Sequence, residues 1–89
     1  MNPEEIDLRD VSFTAELLSC LPGNFARRFR VLPVGSSRDE LVLAMADVSD
    51  LNAIDSVQRL TGRDVAVCVA KARQLDEFIE RLYGKENGS

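Results

Sequence analysis

The sequence predicts a small α+β domain: a three-stranded sheet, made of a hairpin plus a crossover strand and packed with helices, in the order α-α-β-β-α-β-α. Three observations carry this reading. Leu41 to Ala46 is an unbroken apolar run that follows a polar stretch of hairpin length. Val65 to Ala70 is a second apolar run, with valines at every other position. Residues 51–60 and 75–82 repeat apolar side chains at the helical period of 3.6. At 89 residues the chain fits one domain with one modest core.

Taken in order, Ser12-Phe13-Thr14 offers hydroxyl N-caps for a short helix to about Cys20, with Leu17, Leu18 and Leu21 on its apolar side. Pro22 disfavours helix in the residue before it but suits the first turn of a new one, so a second short helix follows through Phe25, Ala26 and Phe29. Arg30 to Val34 reads as a strand. Pro33 lacks a ladder donor and so belongs at an edge or a bulge. Gly35-Ser36-Ser37-Arg38-Asp39 connects it to the second strand, Glu40 to Ala46. That strand is apolar on both faces, so both faces are covered.

Asp47 is the expected N-cap of the third helix, with Asp50 adding a second carboxylate near the positive end of its dipole. Leu51, Ala53, Ile54, Val57 and Leu60 form its expected buried stripe, and Gly62 its left-handed stop. Asp64 to Ala70 is the third strand. The last helix places Leu75, Phe78, Ile79 and Leu82 on one face, pairs Glu77 with Arg81, lacks a serine cap, and ends at Gly84. A helical crossover makes the second and third strands parallel, with the first strand between them as in split β-α-β units. The two long helices are expected on the face of larger side chains. The alanine–cysteine face either packs the short N-terminal helices or docks another protein.

The net charge of −4 sits in residues 1–20, which hold five acids against Arg9, while residues 21–89 balance. A nucleic-acid domain would carry a basic excess, so no nucleic acid is expected as partner. There is no histidine, no phosphate-binding glycine loop and no lysine in an apolar run. Catalysis and cofactors are therefore not expected. Cys20 and Cys68 are too few for a four-ligand zinc site and read as small hydrophobes of a reducing cytoplasm, a disulfide or reactive thiol being the alternative. Asp47, Asp50 and Asp55 do not share a helix face, so no metal site is expected. No apolar run approaches the ~20 residues of a membrane span.

One cluster stands out: Arg27, Arg28 and Arg30 within four residues, with Arg38 brought near by the hairpin. Adjacent guanidiniums repel, so an anionic partner suits them. The choices are a solvated face paired with nearby acids, an acidic protein surface, or a phosphate ligand.

Leu21-Pro22, Ala26-Arg27-Arg28, Val31-Leu32-Pro33-Val34, Leu41 to Asp47, Asp50-Leu51, Ala53-Ile54-Asp55 and Leu60-Thr61-Gly62 together resemble one module. It is the N-terminal domain of the type II secretion and type IV pilus assembly ATPases, the general secretory pathway protein E family. The resemblance runs from about residue 10 to Gly84, in the family's order and spacing. Two positions depart: Val48 stands where the family usually has proline, and Ala70-Lys71-Ala72 where it has a serine cap. The family's Walker motifs and tetracysteine zinc site are not among these residues. Neither are the R-L-G-x-x-L segments of its cyclic di-GMP-binding versions.

The resemblance implies a non-catalytic adaptor that docks to a membrane-anchored platform, motility or polarity protein. It would be cytoplasmic, recruited to the inner membrane or cell pole through that partner, without inserting itself. A cyclic di-nucleotide or other phosphate-ligand sensor is the alternative. The expected organisation is a flexible acidic leader over 1–10, one domain over 11–84 and a disordered tail over 85–89, as a free-standing copy of the module. Arg27, Arg28, Arg30 and Arg38 are the expected partner-binding residues.

Overall fold

The computed structural model describes residues 5–84. Its elements are a 3-10 turn at Leu8–Asp10, α1 Ala15–Leu18, α2 Gly23–Phe29, β1 Val31–Ser36, β2 Glu40–Met45, α3 Leu51–Thr61, β3 Asp64–Val69 and α4 Ala72–Tyr83. The helix and strand order follows the sequence reading; the 3-10 turn is additional.

The strand order does not. The sheet runs β1-β2-β3, with β2 in the centre rather than β1. β1 pairs antiparallel with β2, and β2 pairs parallel with β3 over Glu40–Met45 and Asp64–Val69. The physical reason lies in apolar content. β2 carries Leu41, Leu43, Ala44 and Met45, each at most 1% exposed, so it takes the position covered on both faces and both edges. β1 holds Pro33 and a register shift between Pro33 and Gly35, which suit an edge. Gly35 and Ser36 pair within β1, so the turn shrinks to residues 37–39. Ala44 and Cys68 are buried, so the small-residue face is packed at its centre and not open for docking.

Helix starts follow local hydrogen bonding. Thr14 caps α1 by accepting from the Leu17 amide at 3.1 Å. Asp50, not Asp47, caps α3, accepting from the Ala53 amide at 3.2 Å. Asp47 instead accepts from the Ser49 amide and hydroxyl, closing the turn before the helix. Lys71 leads α4 with no side-chain cap, as the missing serine implied. Gly62 ends α3 at φ 69°, the left-handed stop expected of it.

Ala53 and Val57 are the buried residues of α3, and Ile54 is half-buried. Leu51 and Leu60, expected in that stripe, are 71% and 47% exposed. At 100° per residue, the Leu51 side chain projects about 140° from the face centred on Ala53 and Val57. α4 buries Leu75 and Ile79 and packs on α2, β1 and β2, whereas α3 packs on β3; the two long helices do not form one packed pair.

The segment read as an acidic leader is built into the fold from Glu5 onward. Glu5 bridges Val69 in parallel, and the Ile6 amide donates to the Val69 carbonyl at 2.9 Å. Leu8 is fully buried in the core, and its amide donates to Gln74 Oε1 at 2.9 Å. Gln74 Nε2 also donates to Asp7 Oδ1, so one side chain of α4 clasps two consecutive residues. Residues 1–4 of that leader and the tail 85–89 lie outside the described residues.

Hydrogen bonds from Arg9 hold the Asp7 carboxyl well below its ordinary value of 3.8. A lowered carboxylate pKa adds stability above the ordinary value, and that stability is lost as pH falls through the folded one. The Leu8 amide resonance is therefore expected to stay unchanged down to about pH 3, where ordinary carboxylates have largely protonated. Titration of Asp7 with a midpoint near 3.8 would show that the Arg9 hydrogen bonds are not formed.

Candidate functional site

α2 and β1 position the arginines. Helix α2 ends at Phe29, and Arg30 adopts φ 56°, ψ 54°, so it is a left-handed C-cap rather than the first residue of the strand. Its guanidinium pairs with Asp76 of α4, not with the acids of the N-terminal segment or the hairpin. Arg27 Nη1 donates to the Gly84 carbonyl at 2.9 Å, meeting the negative end of α4 where the chain leaves that helix. Arg28 lies 5.3 Å over the Phe29 ring and has no carboxylate partner among the described residues. The hairpin does not bring Arg38 to this group. β1 runs away from Arg30 for six residues before the turn, a span of about 20 Å. Arg38 is exposed in that turn and is unpartnered among the described residues.

Arg27 of α2 and its C-cap Arg30 thus tie the end of α2 to the α4 region, and Arg28 and Arg38 remain exposed. The left-handed conformation of Arg30 costs roughly 1 kcal/mol for a residue with a Cβ, and an exposed ion pair returns at most a similar amount. Arg30→Gly is therefore expected to leave stability equal or raise it by up to about 1 kcal/mol, measured by urea unfolding. A loss greater than about 1 kcal/mol would mean that the Asp76 pair holds the fold.

Two residues outside the sequence reading shape the surface. Asp76 takes Arg30. At the far end of the sheet, Arg63 Nη1 donates to Ser36 Oγ at 2.6 Å and lies 3.5 Å from Cys20 Sγ. Neither stood in an apolar period or a charge run. Arg63 could have been placed only from the strand order, since the Asp64 amide donates to the Asp39 carbonyl and holds the start of β3 beside the hairpin turn. No disulfide forms among the described residues; Cys68 is buried, its thiol donating to the Leu43 carbonyl, and Cys20 is half-buried. Among the described residues no group of three His, Cys, Asp or Glu converges as a metal site. Among them too, no helix is long and apolar enough to cross a membrane.

Beyond the carboxyl end of β2, Phe29, Met45, Ala46 and Leu75 floor a cleft of about 270 Å³. Asp47, Asp50, Asp76 and Arg30 stand around it.

The MshEN domain family matches residues 3–89. The type IV pilus assembly ATPase PilB of Myxococcus xanthus is 31% identical over 84 residues, covering 94% of this chain and 15% of that protein. Type II secretion system protein E of Xanthomonas campestris pv. campestris is 34% identical over 84 residues, covering 90% of this chain and 15% of that protein. The chain thus spans about 15% of the length of these relatives. The structure of MshE with cdg superposes with a TM-score of 0.79 at 32% identity, over 92% of this chain and 59% of that one. The N-terminal domain of XpsE superposes with a TM-score of 0.75 at 30% identity, over 92% and 57%.

Proposed function

Because the chain belongs to the MshEN domain family, we propose that it is a non-catalytic interaction module of the kind found at the N-termini of secretion and pilus ATPases. It docks in the cytoplasm to the membrane-anchored platform of such a machine, or to a motility or polarity protein. The observation that carries this reading is the family match over residues 3–89, in a fold where Arg27 and Arg30 are engaged within the domain. Arg28 and Arg38 are the two expected arginines left to meet an acidic partner, and Arg28 is the one flanked by an aromatic ring. Arg27 and Arg30 position the end of α2 from which Arg28 projects.

Titration of the domain into the cytoplasmic region of a cognate platform protein tests this. Arg28→Glu is expected to weaken binding at least tenfold, about 1.4 kcal/mol, and Arg30→Gly to weaken it little. Equal affinity for wild type and Arg28→Glu sinks the arginine assignment; no binding by either sinks the adaptor reading.

A second reading follows from the neighbour MshE, whose structure was solved with cdg. In it this chain binds cyclic di-GMP, the phosphates meeting Arg28 and a base stacking on its ring partner Phe29. Calorimetric titration with cyclic di-GMP separates the two: heat that disappears in Arg28→Ala supports the ligand reading, and its absence sets it aside.

A further inference from the structure

The cleft at the carboxyl end of β2 carries a charge pattern opposite to that of the arginine cluster. Its floor is apolar, from Phe29, Met45, Ala46 and Leu75. Three carboxylates, Asp47, Asp50 and Asp76, face a single guanidinium, Arg30. Arg30 is spent on Asp76. Asp47 and Asp50 accept hydrogen bonds only from Ser49 and the Ala53 amide, which are neutral, and no cation pairs with either among the described residues. The Ser49 bonds also lower the Asp47 pKa. Leu51, next to Asp50 in the chain, is 71% exposed.

An apolar floor with two uncompensated carboxylates at its edge is complementary to one kind of side chain: an aliphatic stem ending in a cation. The volume of about 270 Å³ has room for one such chain, and the carboxylates around it repel an anionic ligand. The carboxylates do not converge on a point, so a metal ion is not the fit. The geometry points to this cleft as a docking site for a basic segment of a partner protein. One arginine or lysine of that segment lays its methylenes on Phe29 and Ala46 and its charge beside Asp47 and Asp50, while a neighbouring apolar residue covers Leu51. This contact is separate from the one at Arg28. It would let the domain hold a partner of mixed charge in a single orientation.

The test uses the ¹⁵N-labelled domain and a synthetic peptide, acetyl-Leu-Arg-Leu-Arg-Leu-amide, with a glutamate-for-arginine peptide as control. Asp47→Asn/Asp50→Asn removes both charges, yet each asparagine keeps a side-chain oxygen for the Ser49 and Ala53 amides, so the fold is retained. The arginine peptide is expected to shift the amides of Ala46, Asp47, Asp50 and Leu51 in a saturable way, and the double variant to bind at least tenfold more weakly. Shifts centred instead on Asp7 and Asp10, or equal affinity in the double variant, would overturn the proposal. So would equal binding of the glutamate peptide. If the same amides shift with protein concentration alone, the occupant is a second copy of this chain and the partner assignment falls. None of these readouts involves Arg28 or a platform protein, so failure here leaves the proposed adaptor function standing.

Discussion

Leu8→Ala is expected to cost about 2–5 kcal/mol in urea unfolding, as large as any core truncation in this domain. Leu8 is fully buried and belongs to the central cluster that also holds Leu43, Met45 and Leu75. Removing its isobutyl group loses the transfer free energy and leaves a void that the surrounding β-sheet and α4 cannot fully close. The expected effect is large against a total stability of about 5–15 kcal/mol. A companion substitution, Gln74→Leu, removes both hydrogen bonds of the clasp while keeping bulk, and is expected to cost about 1–3 kcal/mol by leaving the Leu8 amide without its partner. If Leu8→Ala changes stability by less than about 0.5 kcal/mol, the segment is a leader after all, as the sequence suggested.

A second pair of substitutions makes the same chemical change at two sites. Leu43→Ala, at the centre of β2, is expected to cost about 2–5 kcal/mol because the side chain is fully buried between neighbours on both sides. Leu51→Ala is expected to fall within about 0.5 kcal/mol of wild type, since its side chain is largely exposed and alanine is a better helix former. Equal losses at the two positions would refute the burial described for α3. If Leu51→Ala leaves stability intact but weakens binding of the arginine peptide, the two roles of α3 are separated: Ala53 and Val57 hold it down, and Leu51 faces outward.

The contrast between these leucines shows where sequence was informative. Strands β2 and β3 were legible because their apolar runs have strand length and sharp polar borders, and α4 because four apolar residues share one face. The limits of α3 were not legible, because Asp47 and Asp50 are both competent caps and only the turn closed by Ser49 decides between them. Leu51 is a surface residue because the packed face of the helix is centred on Ala53 and Val57, from which it points away. Leu8 was hidden for another reason. A lone leucine among Asp7, Arg9 and Asp10 has no period, and its burial depends on Gln74, 66 residues away.

The site was legible in its residues but not in its grouping. Arg27, Arg28 and Arg30 are adjacent in sequence, yet one meets the end of α4, one stacks on its neighbour's ring and one pairs across to Asp76. Helical geometry spreads consecutive side chains by 100°, and the left-handed turn at Arg30 spreads them further. The hairpin was expected to bring Arg38 to the group, and β1 instead carries it to the far end of the sheet.

The parallel bridge between Glu5 and Val69 also sets how this domain bears tension. A pull on the chain at Glu5 runs along the edge of β3, so it loads the Ile6–Val69 hydrogen bond and the Leu8 anchor in shear and together. A pull across the sheet would instead open such bonds one at a time. The first residues of the fold therefore act as a tether, and force entering there reaches the core through Leu8 and α4 through Gln74 before any strand separates.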